Sequence, residues 1–325
     1  MEYKMEETCY EMNLPRENIH LRCFAHSIMN YRYHWHTDKY ELSIVLHGTQ
    51  EYCRGTETHS LSEDDLILTA PGNGHASMRQ QPGTRALVLH FPSNALKFLV
   101  KKGYIYQFPT CLSNESNRYE DRFCHIRFYV SQLWQSLECG GVYAQLSAKA
   151  NLELLLITLF TEFDPQQINL ISEEDKRRAT IRLLLSYVEE HYAEKLSLED
   201  LADYAQYNRT YVSTLFKQMV GINFHEYLTR VRFQHALNDL TYTNENLTDI
   251  ALKNGFPDLK TLTSRFRSTF HRTPTQYRAM LKPDEVLYAN VRKYLNPNDT
   301  ILREKLKEYA CLVQNVKYKI LDIKL

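Results

Sequence analysis

Leu198-Glu199-Asp200-Leu201-Ala202 leads into Tyr211-Val212-Ser213-Thr214-Leu215-Phe216-Lys217; further along, Leu247-Thr248-Asp249-Ile250-Ala251 leads into Thr261-Leu262-Thr263-Ser264-Arg265-Phe266-Arg267. Each copy reads as a short helix, a tight turn and a second helix ending in Phe and a cation. A tyrosine follows each at the same offset, Tyr227 and Tyr277. A pattern repeated at fixed spacing is one supersecondary unit used twice. Two helix-turn-helix units in one domain can set two helices into successive major-groove faces of one duplex.

Each unit carries its own start and stop signals. Ser197-Leu198-Glu199-Asp200 has capping-box form. Leu198, Leu201, Ala202 and Ala205 make one apolar face, and the small Ala202 lets the second helix cross closely. Asn208 is placed to cap that second helix, with Tyr211, Val212, Leu215 and Phe216 inward. Arg209, Thr210, Ser213, Thr214 and Lys217 then face outward. Small polar groups can approach base edges, while Lys217 suits a phosphate.

In the second unit, Asn254-Gly255-Phe256-Pro257-Asp258 supplies a positive-φ glycine, an aromatic plug and a fresh cap. Leu262 and Phe266 go inward. Lys260, Thr261, Ser264 and Arg267 form the outward row, with Leu259 and Arg265 at its edges. A single amphipathic helix, Tyr227 to Leu240, joins the units and fixes their spacing. One turn of B-DNA requires about 34 Å between the recognition helices.

Amphipathic pairs with small residues at the crossings occur in any small helical domain. The duplication, with both Phe-cation endings and both later tyrosines, is what separates this chain from that background. It resembles the AraC/XylS family of bacterial transcription regulators. The resemblance rests on Leu198 to Ala202, Leu215-Phe216-Lys217 with Gly221, Phe224-His225-Glu226-Tyr227-Leu228, Arg232 with Ala236, Ile250-Ala251 with Gly255-Phe256 and Asp258, Phe266-Arg267, and Thr273-Pro274 with Tyr277-Arg278. It covers roughly 176 to 279 and implies promoter DNA as partner. Thr214 and Ser264 stand where many members carry Arg, and His271 where a Gly often stands. That leaves fewer bidentate guanine contacts, each worth about 1–3 kcal/mol, and more reliance on DNA shape or on paired half-sites.

The first part of the chain is β-like. Glu41 to His47 ends at Gly48, Asp65 to Thr69 at Ala70-Pro71-Gly72, and Thr84 to Phe91 at Pro92. Short Leu-rich or β-branched runs bounded by Gly and Pro are strand signals, and Asn73-Gly74 and Pro82-Gly83 are turn dipeptides. From Tyr119 to Phe163 the period becomes helical: Phe123, Ile126, Tyr129 or Val130, Leu133 and Leu137, then Leu146, Ala150, Leu154, Ile157 and Phe160 or Phe163 after Cys139-Gly140-Gly141. This predicts an αα-hairpin that either packs on the β domain or forms a dimer face.

His34, His36, Glu41 and His75, with Gly48 and Pro71-Gly72-Asn73-Gly74 between them, resemble the two cupin motifs. The resemblance implies a β-barrel whose histidines and glutamate line an effector pocket. Three imidazoles and a carboxylate also suit Fe, Mn, Ni or Zn, so the same four residues are the set for a divalent metal, although no cofactor is required. His47, His90 and Tyr52 are further lining candidates. Trp35 should point the other way, toward core or interface.

Composition bounds the alternatives. The chain has 325 residues, enough for two domains, and its 43% hydrophobic content argues against long disorder. Zero net charge hides an asymmetry: Tyr204 to Leu281 holds ten Lys/Arg against five Asp/Glu, whereas Glu173 to Asp203 holds five against nine. A basic block suits a polyanion. Seven scattered cysteines without a Cys-x-x-Cys pair suggest neither zinc finger nor disulfide framework and read as a reducing cytoplasm. The acidic N-terminus lacks a signal-peptide core, and no apolar run is long enough to span a membrane. No Ser-His-Asp set, P-loop or dinucleotide fingerprint is visible, so catalysis is not expected.

The expected architecture is a two-domain α+β chain. Residues 1–118 form a cupin-like effector-sensing β-barrel, 119–171 a helical hairpin and linker, and 172–282 an all-α domain with two helix-turn-helix units. Residues 283–325 are a C-terminal extension with no assigned role, partly helical and then extended over Tyr318 to Leu325. The expected partners are double-stranded promoter DNA, a small-molecule effector (carbohydrate as the family's first suggestion), RNA polymerase and a second copy of the chain, with no membrane. The rivals are a metal-dependent cupin enzyme with a fused helical domain, and a scaffold protein binding DNA without sequence choice.

Overall fold

The computed structural model describes residues 9–14, 16–27, 34, 36, 38–54, 57–80, 83–97, 99–100, 104–169, 174–280 and 294–313. The expectations for Trp35 and for the extended end, Tyr318 to Leu325, lie outside these residues.

The N-terminal half is built from two antiparallel sheets. The larger runs β1 (Cys9–Leu14), β2 (Ile19–Ser27), β8 (Arg85–Pro92), β3 (Lys39–His47) and β6 (Leu66–Thr69), in that spatial order. The smaller runs β5 (Glu57–Ser62), β4 (Thr49–Arg54) and β7 (His75–Arg79). Gly48, at φ 81, carries the chain from one sheet to the other through a backbone shape that a residue with a Cβ resists. Alternation along the strands then sorts the faces. Glu41 pairs with both His90 and Thr69 in the register, so all three project to the side facing the small sheet. The opposite face of the large sheet presents Cys23, Ala25, Leu42, Ile44, Leu87 and Leu89 to the main core.

That core is closed by α1 (Asp121–Cys139) and α2 (Gly141–Glu162). In α1 the expected residues Phe123, Ile126, Tyr129, Val130, Leu133 and Leu137 are buried. In α2 the inward stripe is different from the expected one. Ala144, Ala148, Leu152, Leu155, Leu156 and Leu159 face the core, whereas Leu146 and Ile157 are 67% and 57% exposed. Apolar residues occupy both sides of this helix, so periodicity alone could not choose the side. The alanines decide it, because they let α2 cross close to α1. The stretch expected as a plain linker also gains structure: β10 (Gln166–Asn169) pairs with β9 (Tyr104–Gln107).

The second half is helical: α3 (Glu174–His191), α4 (Leu198–Ala205), α5 (Arg209–Val220), α6 (Phe224–Tyr242), α7 (Leu247–Lys253), α8 (Leu259–Phe270) and α9 (Pro274–Ala279). Its core gathers Leu201, Val212, Phe216, Tyr227, Ile250, Leu262, Phe266 and Tyr277. Cys53, Ala76 and Met78, from the outer face of the small sheet, join this same cluster. The small sheet is therefore shared: one face looks into the barrel and the other packs on the helical domain.

After α9 the chain returns to the barrel. Leu295 N donates to Ala25 O at 2.8 Å, and α10 (Thr300–Cys311) sets Leu302, Leu306 and Tyr309 into the main core. Its polar side is tied down by Arg303 to Glu138, Lys305 to Asp64 at 2.9 Å and Arg85 to Asp299 at 2.7 Å. The extension is thus a piece of the barrel domain, separated from it in sequence by the helical domain. Among the described residues, no helix is long and apolar enough to cross a membrane.

Candidate nucleic-acid interface and sensor pocket

Both helix-turn-helix units are held by the capping groups read from the sequence. Asp200 N donates to Ser197 Oγ at 3.2 Å while Ser197 N donates to Asp200 Oδ2 at 2.7 Å. Tyr211 N donates to Asn208 Oδ1 at 2.8 Å, and Thr261 N to Asp258 Oδ1 at 2.7 Å. Gly255 adopts φ 76; a Cβ there would stand 2.7 Å from Arg232 Nε and 3.0 Å from two carbonyl oxygens. Phe256 beside it is buried, as the plug of the turn should be.

The caps orient the outer faces. Arg209, Thr210, Ser213, Thr214 and Lys217 are exposed on α5, and Lys260, Thr261, Ser264 and Arg267 on α8. Leu259 is half-buried at the rim. Tyr211, expected inward, is also half-buried and leans on Tyr207, ring centres 4.5 Å apart. Arg209 pairs with Glu199 at 2.6 Å. Arg265 is the exception on α8: its Nη2 donates to Glu226 Oε1 at 2.8 Å, which turns the side chain back toward α6. Nothing in sequence spacing distinguishes it from Arg267, since the partner carboxylate lies 39 positions away.

Between the two sheets, His34, His36, Glu41 and His75 bring one ligand atom each to within 4.8 Å of one another. Glu41 is the hub. Its Oε2 accepts from His36 Nε2 at 3.1 Å and from His90 Nε2 at 2.8 Å. Its Oε1 lies 3.1 Å from His75 Nε2 and 3.5 Å from Tyr52 Oη. Burial works to raise the Glu41 carboxyl, but the charge of His75 and the bonds from His36, His75 and His90 outweigh it and hold the group well below the usual carboxylate range. Burial pushes His90 below its ordinary value, only partly opposed by Glu41. Burial, then the neighbouring Glu41 charge, pushes the Tyr52 hydroxyl well above its own.

His90 and Tyr52, candidates from sequence, do line this space. His47 does not: it is exposed and meets Glu63 at 3.3 Å, because it sits past the irregularity that shifts the β3–β8 register after Val45. Gln50, unflagged in the sequence, shares the inner face of β4 with Tyr52. Its amide is fully buried with neither Nε2 nor Oε1 partnered. Buried amides without partners are uncommon, and inside a barrel they are free to meet a polar ligand. His75 has Asn73 O 3.2 Å from Nδ1 and Glu41 Oε1 3.1 Å from Nε2. The ring thus stands between two oxygens. Should the site hold a divalent ion, His34, His36, Glu41 and His75 are its donors.

Comparison with known proteins follows the same division of the chain. Residues 18–156 match the family model of an AraC-like ligand binding domain, and residues 201–280 that of a helix-turn-helix domain. An uncharacterized HTH-type transcriptional regulator of Staphylococcus aureus (strain COL) is 40% identical over 98 residues, 30% of this chain and 13% of that protein. The chain thus spans a small part of the length of the first curated relatives it matches. The HTH-type transcriptional activator RhaS of Enterobacter sp. (strain 638) is 25% identical over 250 residues, 75% of this chain and 86% of the relative. Among solved structures, ToxT from Vibrio cholerae O395 aligns with 81% of this chain and 98% of its own, at 12% identity and TM-score 0.38. An AraC-type transcriptional regulator from Chromobacterium violaceum aligns with 32% of this chain and 94% of its own, at 28% identity and TM-score 0.31.

Proposed function

The chain belongs to the AraC family of helix-turn-helix regulators, and on that premise we propose that it binds double-stranded promoter DNA in the cytoplasm under the control of a small molecule held in its barrel. The observation that carries this reading is the pair of outer faces on α5 and α8, polar and basic, each borne by a capped helix over an apolar core. Phosphate contacts from Lys217 and Arg267 set the position, and Thr210, Ser213, Thr214, Lys260, Thr261 and Ser264 face the base edges. The effector space is the inner face of the barrel, where Glu41, four histidines, Tyr52 and the unpartnered Gln50 amide offer donors and acceptors of both kinds. An effector controls such a protein only by binding its two arrangements with different affinity.

The exposed stripe of α2, Val142, Tyr143, Leu146 and Ile157, fits a second copy of the chain: aromatic and aliphatic groups on a rigid helix are the makings of an interface core. Two copies would read two half-sites, which compensates for the lack of arginine at 214 and 264. RNA polymerase is the partner that follows for a promoter-bound regulator.

The test is to pass fragmented genomic DNA over the immobilised full chain and sequence what it retains at several salt concentrations. A set of enriched fragments sharing a motif is expected. Uniform retention that falls steeply with salt, without a motif, would mark a nonspecific binder instead. Lys217→Ala and Arg267→Ala should weaken binding to all fragments, whereas changes at Thr210 or Lys260 should alter which fragments are kept.

A further inference from the structure

Four charged side chains of alternating sign run from the barrel to the second recognition helix. Glu51 Oε1, on the outer face of β4, accepts from Arg230 Nη1 at 2.7 Å. Arg230 Nε donates to Glu226 Oε1 at 2.8 Å, and the same oxygen accepts from Arg265 Nη2 of α8 at 2.8 Å. Arg230 also covers the thiol of Cys53, 3.2 Å from Nη1. On the other face of β4, one residue away on either side of Glu51, are Gln50 and Tyr52 of the barrel interior. Any shift of β4 caused by an occupant of the barrel therefore moves Glu51 as well.

Glu226 is the hinge of this row. Its single oxygen Oε1 serves two guanidiniums, one engaged by the barrel and one belonging to the DNA-facing helix. While Glu51 occupies Arg230, Glu226 is left to hold Arg265. Once Glu51 withdraws, Arg230 can shift to meet Glu226 through Nε and Nη2, the pair of donors whose fork suits a carboxylate. The grip on Arg265 then weakens, and its guanidinium is released toward the groove, where it can bind phosphate or guanine.

We propose that Glu226 is the positioning residue of the second reading head, holding Arg265 away from DNA while Glu51 engages Arg230. The proposal rests on the DNA-binding reading above and adds to it which residue withholds contact and which strand gives the order. It predicts that Glu226→Gln and Glu51→Gln both tighten DNA binding and that their effects do not add, since each ends in release of the same arginine.

The experiment uses the full chain and a duplex oligonucleotide taken from a genomic fragment that the unaltered chain retains. Glu226→Gln should lower Kd by about tenfold, the order of one guanidinium contact, and sharpen base preference in the half-site under α8. Glu51→Gln should do the same to a smaller extent, the double variant should match Glu226→Gln, and Arg265→Ala added to either should cancel the gain. A purely structural role for Glu226 would instead lower thermal stability and weaken binding on every sequence, which would overturn the proposal. A second readout is free of affinity: alkylation of the Cys53 peptide by iodoacetamide, followed by mass spectrometry, should speed up in Glu51→Gln and on adding the duplex to the unaltered chain. An unchanged Cys53 rate in both cases would overturn the coupling to β4. If the unaltered chain retains no preferred fragment, the regulator reading falls and this proposal with it; if it does and Glu226→Gln binds no more tightly, only the proposal falls.

Discussion

Tyr309 Oη donates a 2.7 Å hydrogen bond to Asp64 Oδ1 across 245 positions of sequence, inside a buried site. Asp64 occupies the turn between β5 and β6 at φ 69, and Lys305 reaches the same carboxylate. The hydroxyl is pushed well above its ordinary value, first by burial and then by that carboxylate, so it stays a donor. Tyr309→Phe should cost about 1.5–3 kcal/mol, the range for a hydrogen bond to a charged group. Tyr309→Ala should cost about 3–5 kcal/mol through the cavity it leaves. Urea denaturation of the full chain checks both, with the loss expected in the transition of the barrel domain.

A second prediction concerns acid. Glu138, bonded by Arg303 and by Tyr10 at 3.0 Å, is held below the usual carboxylate value, chiefly by the Arg303 bond and against its partial burial. A depressed carboxyl contributes stability that is present above its unfolded value and lost as pH falls through the folded one. Protection of the α10 amides against hydrogen exchange should therefore fall as pH drops from about 4.3, the ordinary glutamate value. Glu138→Gln should flatten that response. A drop that persists unchanged in the variant would assign the acid sensitivity elsewhere.

At Gly255 the space is closed and the backbone left-handed. Gly255→Ala should lose about 1–3 kcal/mol, the usual penalty for such a conformation, with further loss from displacement of Arg232. Because the glycine sets the turn between α7 and α8, DNA binding should weaken alongside stability. Thermal melts and duplex titration on the same sample would reveal it; a neutral variant would refute the close packing.

Glu41→Gln tests the barrel interior. The amide keeps the shape but gives up the charge that three imidazoles face, and removing one member of a buried charged set costs about 3–5 kcal/mol. A reduced melting temperature is expected. A variant as stable as the parent would mean that the histidines do not depend on this carboxylate.

The exposed stripe of α2 gives a fifth test. Leu146→Glu and Ile157→Glu lie outside the core of the single chain, so each chain should keep its fold, and thermal stability should fall only by what the lost dimer contact supplied. Sedimentation velocity should show the parent as a dimer and the double variant as a monomer. A parent that sediments as a monomer at micromolar concentration would remove the interface.

What the sequence disclosed follows the range of the interactions involved. Caps at Ser197, Asn208 and Asp258 act over three residues, so they could be read directly, as could the positive-φ turn at Gly255. The clustering of His34, His36, Glu41 and His75 was legible only through the resemblance to the cupin motifs, since His34 and His36 lie outside the named strands. Contacts made across the fold were not. The tie between Arg265 and Glu226, the joining of Cys53 and Met78 to the helical core, and the docking of α10 all depend on which surfaces meet. Local periodicity carries no record of that. The wrong face assigned to α2 has the same origin: a helix apolar on two sides gives two equally good phases.

The return of α10 to the barrel also bears on how the protein is made. On the ribosome, the barrel domain would emerge first yet lack Leu302, Leu306 and Tyr309, which belong to its core. Domains generally fold as they leave the exit tunnel, but this one must wait for the whole helical domain to be synthesised before its last wall arrives. The helical domain is in that sense an insertion within the barrel, and its own folding would draw the two halves of its host together.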